Sequence, residues 1–404
     1  MAQSEAATGA LDNYMQRLAA FEPVDLPVIS VYLNAQADQH GRQDFDRFLR
    51  KTLGELAKTY APHTPERESF DRDVERITKY VADEVRPETN GVALFACAGA
   101  DEFFEAIQLE APIEDHRVYV YNQPHLYPLA RLMDQYPRYA VLVCDTNRAR
   151  LFVFGRGKTL NTEEIQNVKT NRSQAGGWSQ MRYQRHLENY HLHHAKEVVE
   201  TLARVVAQDK IEHVILAGDE QIIPILREQL PKQLGEKIVD VLSLDINAPE
   251  HEVLAASMES MTEHDEQTDA EKVERLINEY RAGGLACVGA QDTLEALSMG
   301  QVDELFLSAS MRQIEGDRDD VAILSDNEVV DPLVSAADPA ANNIESDSVI
   351  VADELVTRAQ QTSARVTFVE DASLLEEFGG VGAILRFRID RTPDPNTAPQ
   401  PANG

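Results

Sequence analysis

Apolar residues at Phe45, Phe48, Leu49, Leu53 and Leu56 recur three and four positions apart, which predicts an amphipathic helix from Phe45 onward. The same spacing predicts helices over Leu11–Phe21 and Phe70–Glu84. Between them, "LPVISVYLN" (26–34) reads as a strand. "NGVALFACAG" and "FFEAIQL" flank Gly99–Glu102 as the two arms of a hairpin, and "HRVYVYNQP" adds a strand. Residues 1–135 therefore read as an N-terminal α/β domain.

The pattern then changes. In "RYAVLVCDTNRARLFVFGRG" two apolar runs enclose the turn Asp145–Arg148, again a hairpin. A long helix is predicted over Gln180–Ala207, with Ala195, Val198, Val199, Leu202, Val205 and Val206 forming an apolar stripe along its second half. "IEHVILAGDE" reads as a buried strand running into a helix over Glu220–Gln229, followed by a strand, "KIVDVLSLDI", and a helix, "APEHEVLAASMESM". Strands alternating with helices predict a partly parallel sheet covered on both faces over residues 136–266.

The acidic run "TEHDEQTDAEK" reads as a joint leading to a third α/β domain, residues 267–390. Its expected elements are a helix at Ala270–Ala282, a strand at Leu285–Val288, a helix at Thr293–Met299 and a strand at Glu304–Ser308. A helix at Val349–Thr362, the strand "ARVTFVE", a helix at Leu374–Phe378 and the strand "AILRFRI" complete it. Within this domain, residues 313–348 carry ten acids against the single base Arg318 and read as a solvated acidic insertion. The proline-rich tail, 391–404, reads as disordered.

Charge narrows the function. The 69 acidic residues outweigh the 38 basic ones for a net charge of −31, which argues against a general nucleic-acid binder and leaves only local basic spots for any contact with RNA. Cys97, Cys144 and Cys287 lie far apart in apolar runs, the pattern of buried thiols in a reducing cytoplasm. The N-terminus lacks the basic start and apolar core of a secretory signal, and no stretch approaches 18 apolar residues. The expectation is a cytoplasmic protein with no membrane partner. No cofactor or metal is expected, and "HLHH" (191–194) reads as a solvated histidine cluster.

One basic spot stands out. In "NRSQAGGWSQMRYQRH" (171–186), Gly176 and Gly177 permit a sharp bend or a close backbone approach. Ser179 is placed to cap the following helix, whose free first-turn amides favour an anion. Arg182, Arg185, His186 and Asn189 share one helix face, and no apolar stripe holds residues 180–194 down. From Gly155 to Arg204 there are eight Lys/Arg against five Asp/Glu. This describes a protruding, locally basic loop and helix tip whose partner is polyanionic. Composition alone favours an ordinary surface loop with a solvated helix end.

Three stretches, in order, resemble one family. "AGGWSQMRYQRH" resembles the Gly-Gly-Gln loop, with its arginine-rich helix, of the archaeal and eukaryotic class-one release factors and their relative Pelota, in the branch found in bacteria. "GGLACVGAQDTLEALSMGQVDELFLS" (283–308) and "FGGVGAILRFRI" (378–389) resemble the start and the closing strand of that family's third domain. The resemblance covers roughly residues 136–390. It implies three domains: an RNase H-like middle domain carrying the loop, and a ribosomal-protein-like α/β C-terminal domain.

It also implies a partner, the ribosome, with the loop reaching rRNA at the peptidyl-transferase centre and A site. A translational GTPase such as elongation factor Tu is the second implied partner. On this resemblance Lys169, Arg172, Gly176, Gly177, Trp178, Ser179, Arg182, Arg185 and His186 contact RNA. Two departures limit it. Without gaps, Trp178 stands where the family has its catalytic glutamine, and Gln180 lies two residues on. No Asn-Ile-Lys-Ser-like segment for reading stop codons is present in the N-terminal region. The implied function is therefore an A-site factor of stalled or idle ribosomes, in rescue or hibernation. The alternative is a peptidyl-tRNA hydrolase in which Gln180 orients the attacking water. A third reading, a nuclease, rests on Asp145 and Asp219 at strand ends, for which turn and cap roles are the competing explanation.

Overall fold

The alternating run Val28–Asn34 forms strand β1, flanked in an antiparallel sheet by β2 (Gly91–Cys97), β3 (Phe103–Leu109) and β4 (Arg117–Tyr121) in the order β4-β1-β2-β3. These coordinates are a computed structural model. It describes residues 11–388 except 12, 37–44, 88, 110, 136, 156–157, 167–179, 210, 220, 325–330 and 337–345, and leaves out the side chains at 158–159, 166, 180–189 and 323–324. Helix α1 (Phe45–Leu56) buries Phe45, Leu49, Thr52, Leu53 and Leu56 against one face of the sheet, as the spacing predicts. Helix α2 (Pro65–Asp83) begins before the first apolar residue because Thr64 accepts a hydrogen bond from Arg67 N and Pro65 opens the first turn. A short helix, α3 (Tyr127–Gln135), follows β4.

The second sheet has the order β7-β6-β5-β8-β9, from β5 (Tyr139–Cys144), β6 (Arg148–Gly155), β7 (Lys158–Gln166), β8 (His213–Gly218) and β9 (Ile238–Leu242). The β7-β6-β5 part is antiparallel and β5-β8-β9 is parallel. Helix α4 (Gln180–Gln208) makes the crossover to β8, and α5 (Ile223–Gln229) packs beside it. The "acidic joint" is not a break. Glu250–Arg281 is one 32-residue helix, α6, running straight through it. The run contains no Gly or Pro, and Glu, Gln, Ala and Lys are good helix formers, so propensity overrides the change in charge.

The third sheet has the order β10-β14-β11-β13, from β10 (Ala286–Val288), β11 (Val302–Ser308), β13 (Arg365–Val369) and β14 (Val381–Leu385). Helices α7 (Ala290–Ser298), α8 (Arg318–Leu324) and α9 (Ser346–Gln361) lie along it. The helix expected at Leu374–Phe378 is two short 3-10 turns instead, the second closed by Gly379 in the left-handed region.

The acidic insertion is not simply solvated. Val321 of α8 is buried, and Leu333–Ala336 forms strand β12, which pairs antiparallel with β4 as the fifth strand of the first sheet. Arg318 binds Asp331 and Asp347 at 2.7 and 2.6 Å, bracing both ends of this segment. The first and third units also share one hydrophobic core, in which Tyr119, Leu126 and Leu129 meet Leu305, Val351 and Leu355. The middle sheet has separate cores on its two faces. The chain is thus a multi-domain α/β protein whose first and last units are packed together.

Asp353 of α9 makes a buried polar contact across that seam. It is 1% exposed, and its Oδ1 accepts from Leu126 N at 2.5 Å and Tyr127 N at 3.2 Å, with His125 Nδ1 at 3.2 Å. A second tie joins α3 to the edge strand β13, where Asp134 Oδ2 accepts from Phe368 N at 2.8 Å. Burial pushes the Asp134 carboxyl up to about 7, with Asp269 adding to the rise and the Phe368 amide opposing it. Below pH ~4 Asp134 is protonated in both folded and unfolded chains; as pH rises through ~7 the folded chain loses the advantage of holding that proton. Asp134→Asn keeps an oxygen for Phe368 N and removes the titration. Urea melts should show the variant about 2 kcal/mol more stable than the parent at pH 8 and equal at pH 4. Equal stabilities at both pH values would show that the site carries no such cost.

Candidate functional site

The basic segment is held by the middle sheet. Strand β7 leads into it and α4 leads out, and the two are clamped by Arg204 Nη2 to Glu163 Oε2 at 2.5 Å. At the end of the sheet where β7 gives way to the basic segment, Gln166 pairs with Arg148 and the β5–β6 turn closes over Asp145–Arg148. Helix α4 first meets the sheet here. Its second half buries Ala195, Val198, Val199, Leu202, Val205 and Val206, the predicted stripe, against Leu142, Leu151 and Leu216.

The helix runs antiparallel to β5, since β8 starts beside Tyr139 and His194 lies beside Cys144. The axis of α4 therefore carries residues 180–189 past the end of β5, while Tyr190 and Leu192 are half-buried beside the sheet's end. At about 1.5 Å per residue, Gln180 lies roughly 21 Å along the axis from His194. Gln180, Arg182, Arg185 and His186 occupy the first two turns of this projecting half. Their helical backbone puts Arg182, Arg185 and His186 on one face. Lys169, Arg172, Gly176, Gly177, Trp178 and Ser179 lie outside the described residues, as does the expected Ser179 cap.

One expectation about this helix is corrected. His194 does not belong to a solvated cluster: it is fully buried, with its Nε2 3.8 Å from Cys144 Sγ. Burial lowers the His194 imidazole below its ordinary value and raises the Cys144 thiol to about 12, so the pair stays neutral and inert. His194 is one turn ahead of Val198 and continues the apolar stripe, the signal that would have placed it. The expectation of buried cysteines holds for all three.

Asp145 and Asp219 are occupied with local structure. Asp145 Oδ1 accepts from Asn147 N and Arg148 N, both at 2.6 Å, and Asp219 Oδ1 accepts from Gln221 N at 2.9 Å. Gly218 precedes Asp219 with φ +141°, and a Cβ there would collide with the Cys144 carbonyl oxygen. Among the described residues no three His, Cys, Asp or Glu side chains are grouped to hold a metal. The turn and cap roles account for both aspartates. Among the described residues no helix is long and apolar enough to cross a membrane.

Sequence reasoning missed β7 and the Glu163–Arg204 clamp. Strand β7 is mostly polar, "KTLNTEEIQ", and pairs on one side only, which hides the usual alternation. It also missed α3, whose nine residues are too few to display a helical period.

With this geometry in place, comparison with known proteins identifies the lineage. Residues 124–262 match the model of bacterial archaeo-eukaryotic release factor family 10, and residues 267–389 match the model of eRF1 domain 3. The chain belongs to the bacterial archaeo-eukaryotic release factor and Pelota-like family. It is 24% identical over 395 residues to peptide chain release factor subunit 1 of Methanobrevibacter smithii, covering 90% of this chain and 93% of that protein. It is 24% identical over 199 residues to the Pelota homologue of Pyrococcus furiosus, covering 48% of each. Among solved structures, a ribosome-bound archaeal Pelota with ABCE1 aligns over 94% of this chain and 95% of that one, at 14% identity and a TM-score of 0.39. In this release factor-like chain the eRF1 domain 3 match begins inside α6, so the two family models meet within one helix.

Proposed function

We propose that this chain is a translation factor that occupies the A site of stalled or idle ribosomes without reading a stop codon. The observation that carries the reading is the projecting half of α4. It is a helix start bearing Arg182 and Arg185 on one face, which begins beyond a diglycine segment and passes the end of the middle sheet. Family membership and the release-factor relatives supply the context of translation.

Electrostatics give the tip its orientation. With a net charge of −31 the body is repelled by rRNA, while the tip carries the local cations, so approach is productive only tip first. Lys169, Arg172, Arg182 and Arg185 would contact phosphates, and Gly176 and Gly177 would let backbone approach backbone. Trp178 would stack on a base, worth about 1–3 kcal/mol. A tryptophan at the position of the catalytic glutamine favours occupancy over hydrolysis. An RNase H-like identity for the middle unit is supported by its order, three antiparallel strands followed by two parallel ones. Resemblance of the third unit extends the proposal to a translational GTPase of the elongation factor Tu class as second partner.

A cryo-EM map of vacant ribosomes mixed with the chain tests this. The expected density puts the start of α4 at the peptidyl-transferase centre, with the first and third units toward the subunit interface. Density with α4 pointing into solvent, or no bound chain, overturns it.

A further inference from the structure

The seam between the first and third units forms an open cavity of about 380 Å³, within the size range of small-ligand sites. Its lining is half polar and half apolar, the apolar part coming from residues such as Tyr119, Tyr127, Ile113, Leu129 and Met311. Two arginines reach in from the first unit, Arg117 at the start of β4 and Arg131 on α3, each with a side chain 26% exposed.

Neither arginine is well paired. Arg131 Nη2 sits 3.5 Å from both Glu370 oxygens and 3.8 Å from Glu114. Arg117 approaches Tyr119 Oη at 3.4 Å and Asp115 at 3.8 Å. Charge-assisted contacts normally close to about 2.7–2.9 Å. Arg131 Nε is buried and has no hydrogen-bond partner among the described residues. A buried donor left unpaired is costly, and a small turn of the guanidinium would bring Nε beside Nη2 into the cavity as the edge that grips an oxyanion with two parallel bonds.

The acids around the cavity sit farther out. Glu114, Glu370 and Asp115 have side chains 70%, 50% and 41% exposed, so solvent screens them more than it screens the two arginines. The two arginines thus lie inside, with the three acids and the exposed Arg312 at the mouth.

We propose that this cavity binds a small molecule with one oxyanion head, gripped by Arg131 and supported by Arg117, and a planar apolar body laid among Tyr119, Tyr127 and Met311. Because the walls come from both units, the ligand bridges the seam. Phosphate and carboxylate heads satisfy the same chemistry, and the test separates them.

Isothermal titration of the full chain would use phenyl phosphate, adenosine monophosphate, benzoate and inorganic phosphate. Phenyl phosphate or adenosine monophosphate binding in preference to benzoate assigns a phosphate head, and the reverse assigns a carboxylate. Inorganic phosphate should bind at least about tenfold more weakly than the best aromatic probe. Arg131→Gln should abolish binding, and Arg131→Lys should weaken it about tenfold by losing the fork. Glu370→Gln should tighten binding several-fold by removing the competing carboxylate, which keeps the test decisive should the Arg131 variants fold poorly. No binding of any aromatic probe at millimolar concentration overturns the proposal. So does inorganic phosphate matching the aromatic probes, or indifference of affinity to both Arg131→Gln and Glu370→Gln.

Discussion

Reversing two charges on the projecting helix, Arg182→Glu with Arg185→Glu, should lower the affinity of the chain for ribosomes by about 100-fold or more. Each arginine that neutralises a phosphate releases counterions, and each glutamate in its place adds repulsion inside a strongly negative RNA field. The body cannot compensate, since acids outnumber bases by 69 to 38. Stability should hardly change, because the described anchor of α4 begins at His194 and Ala195, more than two turns away. Pelleting through a sucrose cushion over a salt series reads the effect. The parent should show a steep loss of binding with salt and the variant a shallow one. Co-pelleting of parent and variant to the same extent at every salt concentration would remove the tip from the interaction.

The second large effect belongs to the seam. Asp353→Ala takes the acceptor away from Leu126 N, Tyr127 N and His125 Nδ1 at a position that is 1% exposed. Buried donors left unpaired cost about 1–3 kcal/mol each, so a loss of roughly 3–5 kcal/mol is expected. The loss should be local. Hydrogen exchange should speed up along α3 and α9, whereas amides of the middle sheet, which has its own cores, should keep their protection. A change within about 0.5 kcal/mol would mean that apolar packing alone holds the two units together.

How much of this was legible beforehand depends on the reach of each interaction. The β2–β3 and β5–β6 hairpins, the stripe of α4 and the Phe45 helix are local, and their spacing in the chain is enough to specify them. Strand β12 is the opposite case. Four residues in an acidic segment pair with β4, whose residues lie more than 200 positions earlier, and no local period announces it. In the sequence His194 is indistinguishable from His191 and His193, and only the fold separates it, since those two are more exposed. In helix α6 the charge changes along the run while the backbone does not, so pattern alone suggests two helices where there is one. For the candidate site, the sequence placed the arginines on the right helix and the helix end within one residue. The contribution of the strand on the far side of the loop required coordinates.

Helix α6 has a mechanical consequence. Apart from the short link before β5, it is the covalent connection between the middle unit and the fused pair, and its 32 residues make a rod of about 48 Å. A tilt of about 10° at one end carries the other end about 8 Å. Val253 and Met261 seat the first half of α6 on the middle sheet and Val273 and Leu276 seat the second half on the third, so a small tilt where α6 enters the third sheet would reach the middle unit as a long lever stroke.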